Sequence, residues 1–304
     1  MRAKHTIYSF RYMILLADSG STKAHWCLMA ANGHKAEFMT DGINPLFQTG
    51  DAMRNSICNQ LLPQMASMLW AGTITHVFFY GAGCTPEKAP FVKQAIEGVF
   101  KKAIVEVASD MVGAARGLLG RQKGVACILG TGSNSCLYDG ANIVWNVPSL
   151  GFILGDEGSA ATLGKRLVSD LLKNQLGEDL KERFLARYNI TQADIIEHVY
   201  RQPFPNRWLA NLARFCADNI DDRRIYNLVY DHFAQFVKRN VAQYYTTEAE
   251  KESMPVGFVG SVAYYYRAVL EQVMGDYGFT MGQVLQDPVQ GLAEYHREDV
   301  VPTM

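Results

Sequence analysis

A repeat narrows most sharply what this chain can fold into. Met13 to Asp18 is an apolar run of buried-strand length, followed by the small-residue turn SGSTK (19–23), a second strand pattern over Ala24 to Ala31, and an Asn32-Gly33 turn into a further strand. About a hundred residues later the order returns: Val125 to Leu129 is apolar, GTGSNS (130–135) is a turn, Cys136 to Tyr138 reads as strand, and Asp139-Gly140 makes the next turn. The repeat predicts an internally duplicated fold. Aligning the two turns sets Asp18 opposite Gly130, Gly20 opposite Gly132 and Ser21 opposite Ser133, so two similar loops are expected to face each other across a cleft.

The length of 304 residues suits about two domains of ~150 residues each. Between the repeats, Ala52 to Trp70 and Pro86 to Lys101 have helical spacing. His76 to Tyr80 is a strand ending in GAG (81–83), and Val105 to Ala108 is a short strand that delivers Asp110. Beyond Gly155 the pattern turns helical over Glu157 to Leu176, Trp208 to Asn219 and Ile225 to Tyr245. Val256 to Val259 is again a strand, leading into a helix over Val262 to Met274. No Pro/Ser-rich linker occurs, so the boundary near Gly117 to Gly124 is expected to be compact. Residues 1–12 carry Arg2, Lys4 and Arg11 without apolar periodicity and are expected to be an extension before Met13, itself a candidate start.

Lys and Arg number 29 against 30 Asp and Glu, a formal charge of −1 that leaves no electrostatic footprint for nucleic acid or an acidic membrane. An anionic ligand must therefore be held locally. The six cysteines contain no CxxC pair and read as reduced core thiols, and the seven histidines show no HxxxH or HxH spacing for zinc. No apolar run approaches the ~18–20 residues that span a bilayer, and Met13 to Ala17 is too short for a signal sequence, so a cytoplasmic location is expected. Tyr244-Tyr245 and Tyr264 to Tyr266 are expected to pack rather than to stack on a ligand.

Backbone N–H groups of Gly/Ser/Thr turns can converge on anionic oxygens without formal charge. One such loop says little; two at equivalent places in a duplicated fold say more. GxxxxGK[ST] and GxGxxG are both absent, so neither a P-loop nor a dinucleotide-binding loop is supported. Asp18, ending a buried strand, reads either as a turn residue or as a carboxylate that holds hydrated Mg²⁺ beside a polyphosphate. Asp110 reads either as a helix N-cap or as the group that takes a proton from a substrate hydroxyl. The acidic turn of Gly155, Asp156, Glu157 and Gly158 either caps a helix or grips vicinal hydroxyls of a polyol. Gly260 reads either as a packing glycine or as a close approach to a flat ring.

DSGSTK (18–23), GTGSNS (130–135), GDEGSAA (155–161) and GFVGSVA (257–263) together resemble, in order and spacing, the N-acetylglucosamine kinases and the related BadF/BadG/BcrA/BcrD-type ATPases, within the superfamily of sugar kinases, heat-shock chaperone ATPases and actin. The resemblance runs from Met13 to about His296. It implies an α/β fold of two ribonuclease-H-like domains, 13–118 and 119–286, closing on a nucleotide cleft, with a helical insertion in the second and the tail 287–304 returning to the first. It implies ATP and Mg²⁺ as cofactors, with Asp18 toward the metal. Ser21, Thr22 and Lys23 match the first phosphate motif, Gly130, Thr131, Gly132 and Ser133 the second, and Gly260 and Ser261 the adenosine motif. Asp110 matches the general base, and Asn44, Gly151 and Asp156 match sugar contacts.

The activity implied is transfer of the γ-phosphate of ATP to a hydroxyl, O6 by expectation, of an N-acetylated amino sugar. The partners are ATP and that sugar, with no nucleic acid or membrane, and a homodimer is allowed. Leu150 stands where better-known members carry a Trp against the sugar, and Phe152 and Ile153 follow it, so several amino sugars stay open as substrates. The alternative is a regulatory ATPase that acts on a protein partner. Its iron–sulfur form needs cysteines at a dimer interface, whereas Cys127 and Cys136 flank the second loop within a strand pair. A sugar-sensing repressor is disfavoured, because residues 1–12 are too short for a helix-turn-helix.

Overall fold

A computed structural model describes residues 12–20, 22–66 and 73–297. They form two compact units: one of residues up to Gln122 together with those from Asp287, the other Lys123–Gln286.

In the first unit a five-stranded sheet has the order β3-β2-β1-β4-β5. Its strands are β1 (Tyr12–Ser19), β2 (Lys23–Ala30), β3 (Lys35–Asp41), β4 (Thr73–Gly81) and β5 (Ile104–Ser109). β1 is central and covered on both faces, which is why its apolar run is continuous rather than alternating. Met13, Leu15 and Ala17 enter one core with Met53, Ile57 and Leu61 of the helical stretch Gly50–Met65 and with Val92 and Ile96 of helix Ala89–Val99. Ile14 and Leu16 enter the other, with Val289, Leu292 and Ala293 of helix Val289–Tyr295. That helix packs backbone to backbone on helix Asp110–Leu119, since a Cβ on Gly291 would run into the carbonyl of Gly117.

In the second unit the order is β10-β9-β6-β7-β8, from β6 (Gly124–Leu129), β7 (Ser133–Tyr138), β8 (Ile143–Val147), β9 (Val256–Val259) and β10 (Met281–Leu285). β1/β2 and β2/β3 are antiparallel while β1/β4 and β4/β5 are parallel, and β6/β7, β7/β8, β6/β9 and β9/β10 repeat that sequence of senses. The duplication is therefore one of complete sheets. Between β8 and β9 runs a helical insertion whose core is built on Leu163, Leu167, Phe184, Phe215, Phe233 and Phe236.

Several helices are shorter than their periodicity suggests. The stretch Glu157 to Leu176 is helical only over Ala160–Leu172, because the Ser159 hydroxyl caps it by accepting from Thr162 N. Trp208 to Asn219 divides into Pro205–Leu212 and Arg214–Asp218, and Ile225 to Tyr245 into Arg223–Arg239 and a 3-10 turn, Val241–Tyr244. Val262 to Met274 likewise divides into Ser261–Tyr265 and Arg267–Asp276. Tyr12 opens β1, whereas residues 1–11, the end of the Ala52 to Trp70 segment and Ser21 lie outside the described residues. All six cysteines are free. No described helix is long and apolar enough to cross a membrane.

Candidate active site

The two loops occupy equivalent places, but two residues away from the expected alignment. The β1/β2 ladder ends at Ser19 opposite Ala24 and Gly20 N donates to Lys23 O at 3.0 Å, while β6/β7 ends at Leu129 opposite Ser133 and Gly130 N donates to Gly132 O at 2.9 Å. Counted from the ladders, Gly20 matches Gly130 and Asp18 matches Ile128. Matching glycines by letter misses this, because the first turn is one residue longer than the second.

In the first unit Asp18 sits one residue inside the end of β1, on the face of Ile14 and Leu16, with His25 opposite it on β2. Burial and the neighbouring carboxylates Asp110 and Asp287 push its pKa up to about 7, against the smaller pull of His25 and Lys23. Ser19, next in the strand, is buried; its hydroxyl accepts from Ile43 N at 2.8 Å and donates to Ile43 O at 3.1 Å, which fixes the following loop. Thr22 and Lys23 are exposed at the turn, and Thr22 O accepts from Gly42 N at 3.0 Å.

Asp110 opens helix Asp110–Leu119 but does not cap it. The N-cap is Ser109, whose hydroxyl accepts from Val112 N at 3.3 Å, so the capping reading of Asp110 is corrected. The Asp110 carboxylate accepts from Met111 N at 2.9 Å, and burial raises its pKa despite that bond. Asn44 is buried. Its Oδ1 accepts from Leu46 N at 2.9 Å and lies against Gly83, where a Cβ would collide with it.

Asp287 and His25 join this face without having been singled out by sequence. Asp287 Oδ1 accepts from Val289 N at 3.1 Å and stands 3.4 Å from His25 Nδ1, while His25 Nε2 lies 3.0 Å from Glu37. The pairing with Asp287 raises the pKa of His25 and lowers that of Asp287. The one signal in the sequence was an Asp-Pro step ahead of a helical pattern.

In the second unit the loop 130–132 lies at the N-terminus of helix Ala160–Leu172. Ala160 N donates to Gly130 O at 2.8 Å and Ala161 N to Thr131 O at 3.1 Å, and the N–H groups of Thr131 and Gly132 have no acceptor among the described residues. Asp156 reaches the same loop. Its Oδ1 accepts from Ser133 N at 3.4 Å, and a Cβ on Gly132 would lie 3.1 Å from Oδ2. Burial raises the Asp156 pKa, the Ser133 N–H opposing it.

The acidic turn is folded tightly to place that carboxylate. Asp156 has φ 58°, its N–H donates to Ser149 O at 2.8 Å, and its carbonyl accepts from Thr162 Oγ1 at 2.6 Å. Gly151, with φ 73°, starts the short exposed helix Gly151–Leu154. Below the turn, His232 is buried with Nε2 3.0 Å from Ser159 O, and desolvation pushes its pKa down to about 4. Gly260, at φ 120°, packs on the end of β6, where a Cβ would run into Leu129 O; Ser261 follows, exposed, as the first residue of the next helix.

Each unit thus assembles its own set. Asp18, Asp110, Thr22 and Lys23 belong to the first with Asn44, while Gly130 to Ser133, Asp156, Gly260 and Ser261 converge in the second, Gly151 lying a short way along the chain. Among the described residues no group of three Asp, Glu, His or Cys could hold a metal ion unaided. A cation at Asp18 would therefore need ligands from a phosphate and water.

No protein-family model and no curated protein matches the chain. Among solved structures, a Porphyromonas gingivalis protein provisionally named an N-acetylglucosamine kinase shares 47% identity at a TM-score of 0.87, over 95% of this chain and 100% of that one. A Chromobacterium violaceum protein, provisionally named the same, shares 18% at a TM-score of 0.69, over 94% of this chain and 99% of that one. A ROK family glucokinase from Streptomyces griseus, solved with glucose and AMPPNP, shares 14% at a TM-score of 0.56, over 95% and 99%. The last two are likenesses of fold.

Proposed function

We propose a function for a chain that belongs to the N-acetylglucosamine kinase family: it is a sugar kinase that uses ATP to phosphorylate a hydroxyl, O6 in our reading, of an N-acetylated amino sugar. The observation that carries this is Asp110, a half-buried carboxyl at a helix start that is spared the capping role and whose pKa is raised by desolvation. A carboxylate that is more basic than usual suits removal of a hydroxyl proton as phosphoryl transfer begins.

Mg²⁺ fits the first unit, because Asp18, crowded by Asp110 and Asp287, is a carboxylate that a cation would relieve. When bound, the ion neutralises the β- and γ-phosphates. Thr22, Lys23 and the outside-lying Ser21 would orient phosphates from the first loop. The N–H groups of Thr131 and Gly132, beside Gly130 and Ser133, would do so from the second. Gly260 and Ser261 would lie under the adenosine, the glycine leaving room for the ring. Asn44, Gly151 and Asp156 would bind sugar hydroxyls, Asp156 as acceptor and Asn44 through its amide.

The test is ADP release from ATP and Mg²⁺ with a panel of amino sugars against a no-sugar control, with the phosphate ester identified by mass spectrometry. Release stimulated by one N-acetylated sugar is expected. Slow hydrolysis indifferent to every sugar would overturn the kinase reading in favour of a partner-activating ATPase.

A further inference from the structure

In the first unit, the segment that carries Asn44 is buried yet belongs to no helix or strand. Gly42, Ile43, Asn44 and Pro45 are all buried, just beyond the end of β3 at Asp41. A connecting segment in that position must find partners for its backbone groups away from any ladder. Every N–H and C=O of residues 42–44 does so. Gly42 N donates to Thr22 O at 3.0 Å, and the Ser19 hydroxyl serves both groups of Ile43. Gln48, which follows directly on DGINPLF (41–47), serves two more: its Oε1 accepts from Asn44 N at 3.0 Å and its Nε2 donates to Gly42 O at 3.0 Å. Asn44 O accepts from Phe47 N at 3.1 Å.

Both ends of the Gln48 amide are therefore engaged by backbone on either side of Ile43. A second glutamine works next to it. Gln60 lies in Ile57–Leu61, where the helical stretch Gly50–Met65 widens into a π-helical turn, a rare form that is frequent at functional sites. Its Oε1 accepts from Asp41 N and its Nε2 donates to Asp41 Oδ2, both at 2.7 Å. The two differ in what they hold. Asp41 is already paired with Lys23 across the β2/β3 ladder, whereas Gly42 and Asn44 lie beyond every strand. Removing the Gln48 amide would leave two buried backbone groups unpaired unless the segment shifted to find others, and a shift moves Asn44.

We propose that Gln48 is a positioning residue for the sugar: by bridging Gly42 O and Asn44 N it fixes the backbone from which Asn44 reaches the sugar, and so sets sugar affinity while leaving nucleotide affinity alone. The proposal rests on the sugar-kinase reading above, in which Asn44 is a sugar contact, and adds to it a residue whose own polar atoms are turned to the backbone. Gln48 acts through Asn44 and takes no part in the transfer itself.

The experiment measures kcat, the KM values for N-acetylglucosamine and for MgATP, and calorimetric affinities for that sugar and for AMPPNP, in the wild-type chain, Gln48→Met and Gln48→Glu, with Tm recorded for each. Gln48 is half-buried, so the methionine, of similar length, is accommodated while both bonds are lost. Gln48→Met is expected to raise KM and Kd for the sugar about tenfold, with kcat and both nucleotide constants within about threefold of the wild type. Gln48→Glu keeps the acceptor for Asn44 N and loses the donor to Gly42 O, and is expected to fall between the two. Sugar affinity unchanged in Gln48→Met would overturn the proposal, as would an equal weakening of sugar and nucleotide at a lowered Tm, the mark of a residue that merely supports the fold. A wild type that binds the sugar more tightly than Gln48→Met but phosphorylates no sugar keeps the positioning role and overturns the kinase reading. A wild type that phosphorylates the sugar while Gln48→Met binds it equally well does the reverse, and one that neither binds nor phosphorylates it overturns both.

Discussion

β1 runs into its small-residue loop through Asp18 and Ser19, whereas β6, the matching strand of the second unit, runs into its loop through Ile128 and Leu129. The second loop regains a carboxylate from elsewhere, when the turn after Gly155 folds Asp156 onto Ser133 N. Duplication has kept the backbone, with the same strand senses and the same closing hydrogen bond, while the ionisable chemistry was placed separately in each copy. Asp18 is pushed towards its protonated form by burial and by two neighbouring carboxylates; His232, beneath the second loop, is held neutral by burial. The units should therefore answer pH in opposite directions.

The comparison breaks most visibly at Asp110, to which we assign the reactive role in the first unit. Asp110→Asn is expected to reduce kcat by about 10²–10⁴ while calorimetry shows ATP and sugar still bound; near-normal kcat would remove it from the reaction. Gly260→Ala tests the second unit, since the added methyl meets the carbonyl of Leu129 at a backbone angle of φ 120°. A loss of about 2–4 kcal/mol in unfolding free energy is expected, with weaker ATP binding, and an alanine variant of unchanged Tm would contradict that packing.

Asp18→Asn sharpens the pH contrast. With a folded pKa near 7 against an ordinary 3.8, the native first unit binds the extra proton, so Asp18 favours folding in acid, and that contribution is lost as pH rises from 3.8 and is gone above about 7. The asparagine variant should match the wild type in acid and exceed its unfolding free energy in alkali, by roughly 1–3 kcal/mol in metal-free buffer. His232 has the opposite sign. Its folded pKa of about 4 lies below the ordinary 6.5, so its contribution is present above 6.5 and declines as pH falls towards 4. His232→Gln should flatten that acid arm by about 1–2 kcal/mol, and an unchanged thermal profile between the two pH values would show that His232 is not what the acid titrates.

The sheets were legible because their central strands are buried on both faces, leaving uninterrupted apolar runs at Met13 to Ala17 and Val125 to Leu129 that only one kind of element explains. The loop register was not, since serine and glycine recur within two residues and composition cannot show where a ladder ends. Helix breaks at Ala213 and Asn240 escaped detection because neither carries the Gly or Pro that usually marks one. Asp110 was found, but its neighbour Ser109 supplied the cap. Asp287 and His25 meet only through the return of the chain, and no local pattern encodes a contact between residues so distant in sequence.

That return sets an order of events during synthesis. The face of β1 and β4 that carries Ile14, Leu16, Phe78 and Tyr80 is covered by Val289, Leu292 and Ala293, residues made after the whole of the second unit. The half of the protein that leaves the ribosome first is therefore the half that finishes folding last, and until then it carries an open apolar face for chaperones to shield. A chain cut after Gln286 would hold every residue of the second unit attached to an unfinished first one.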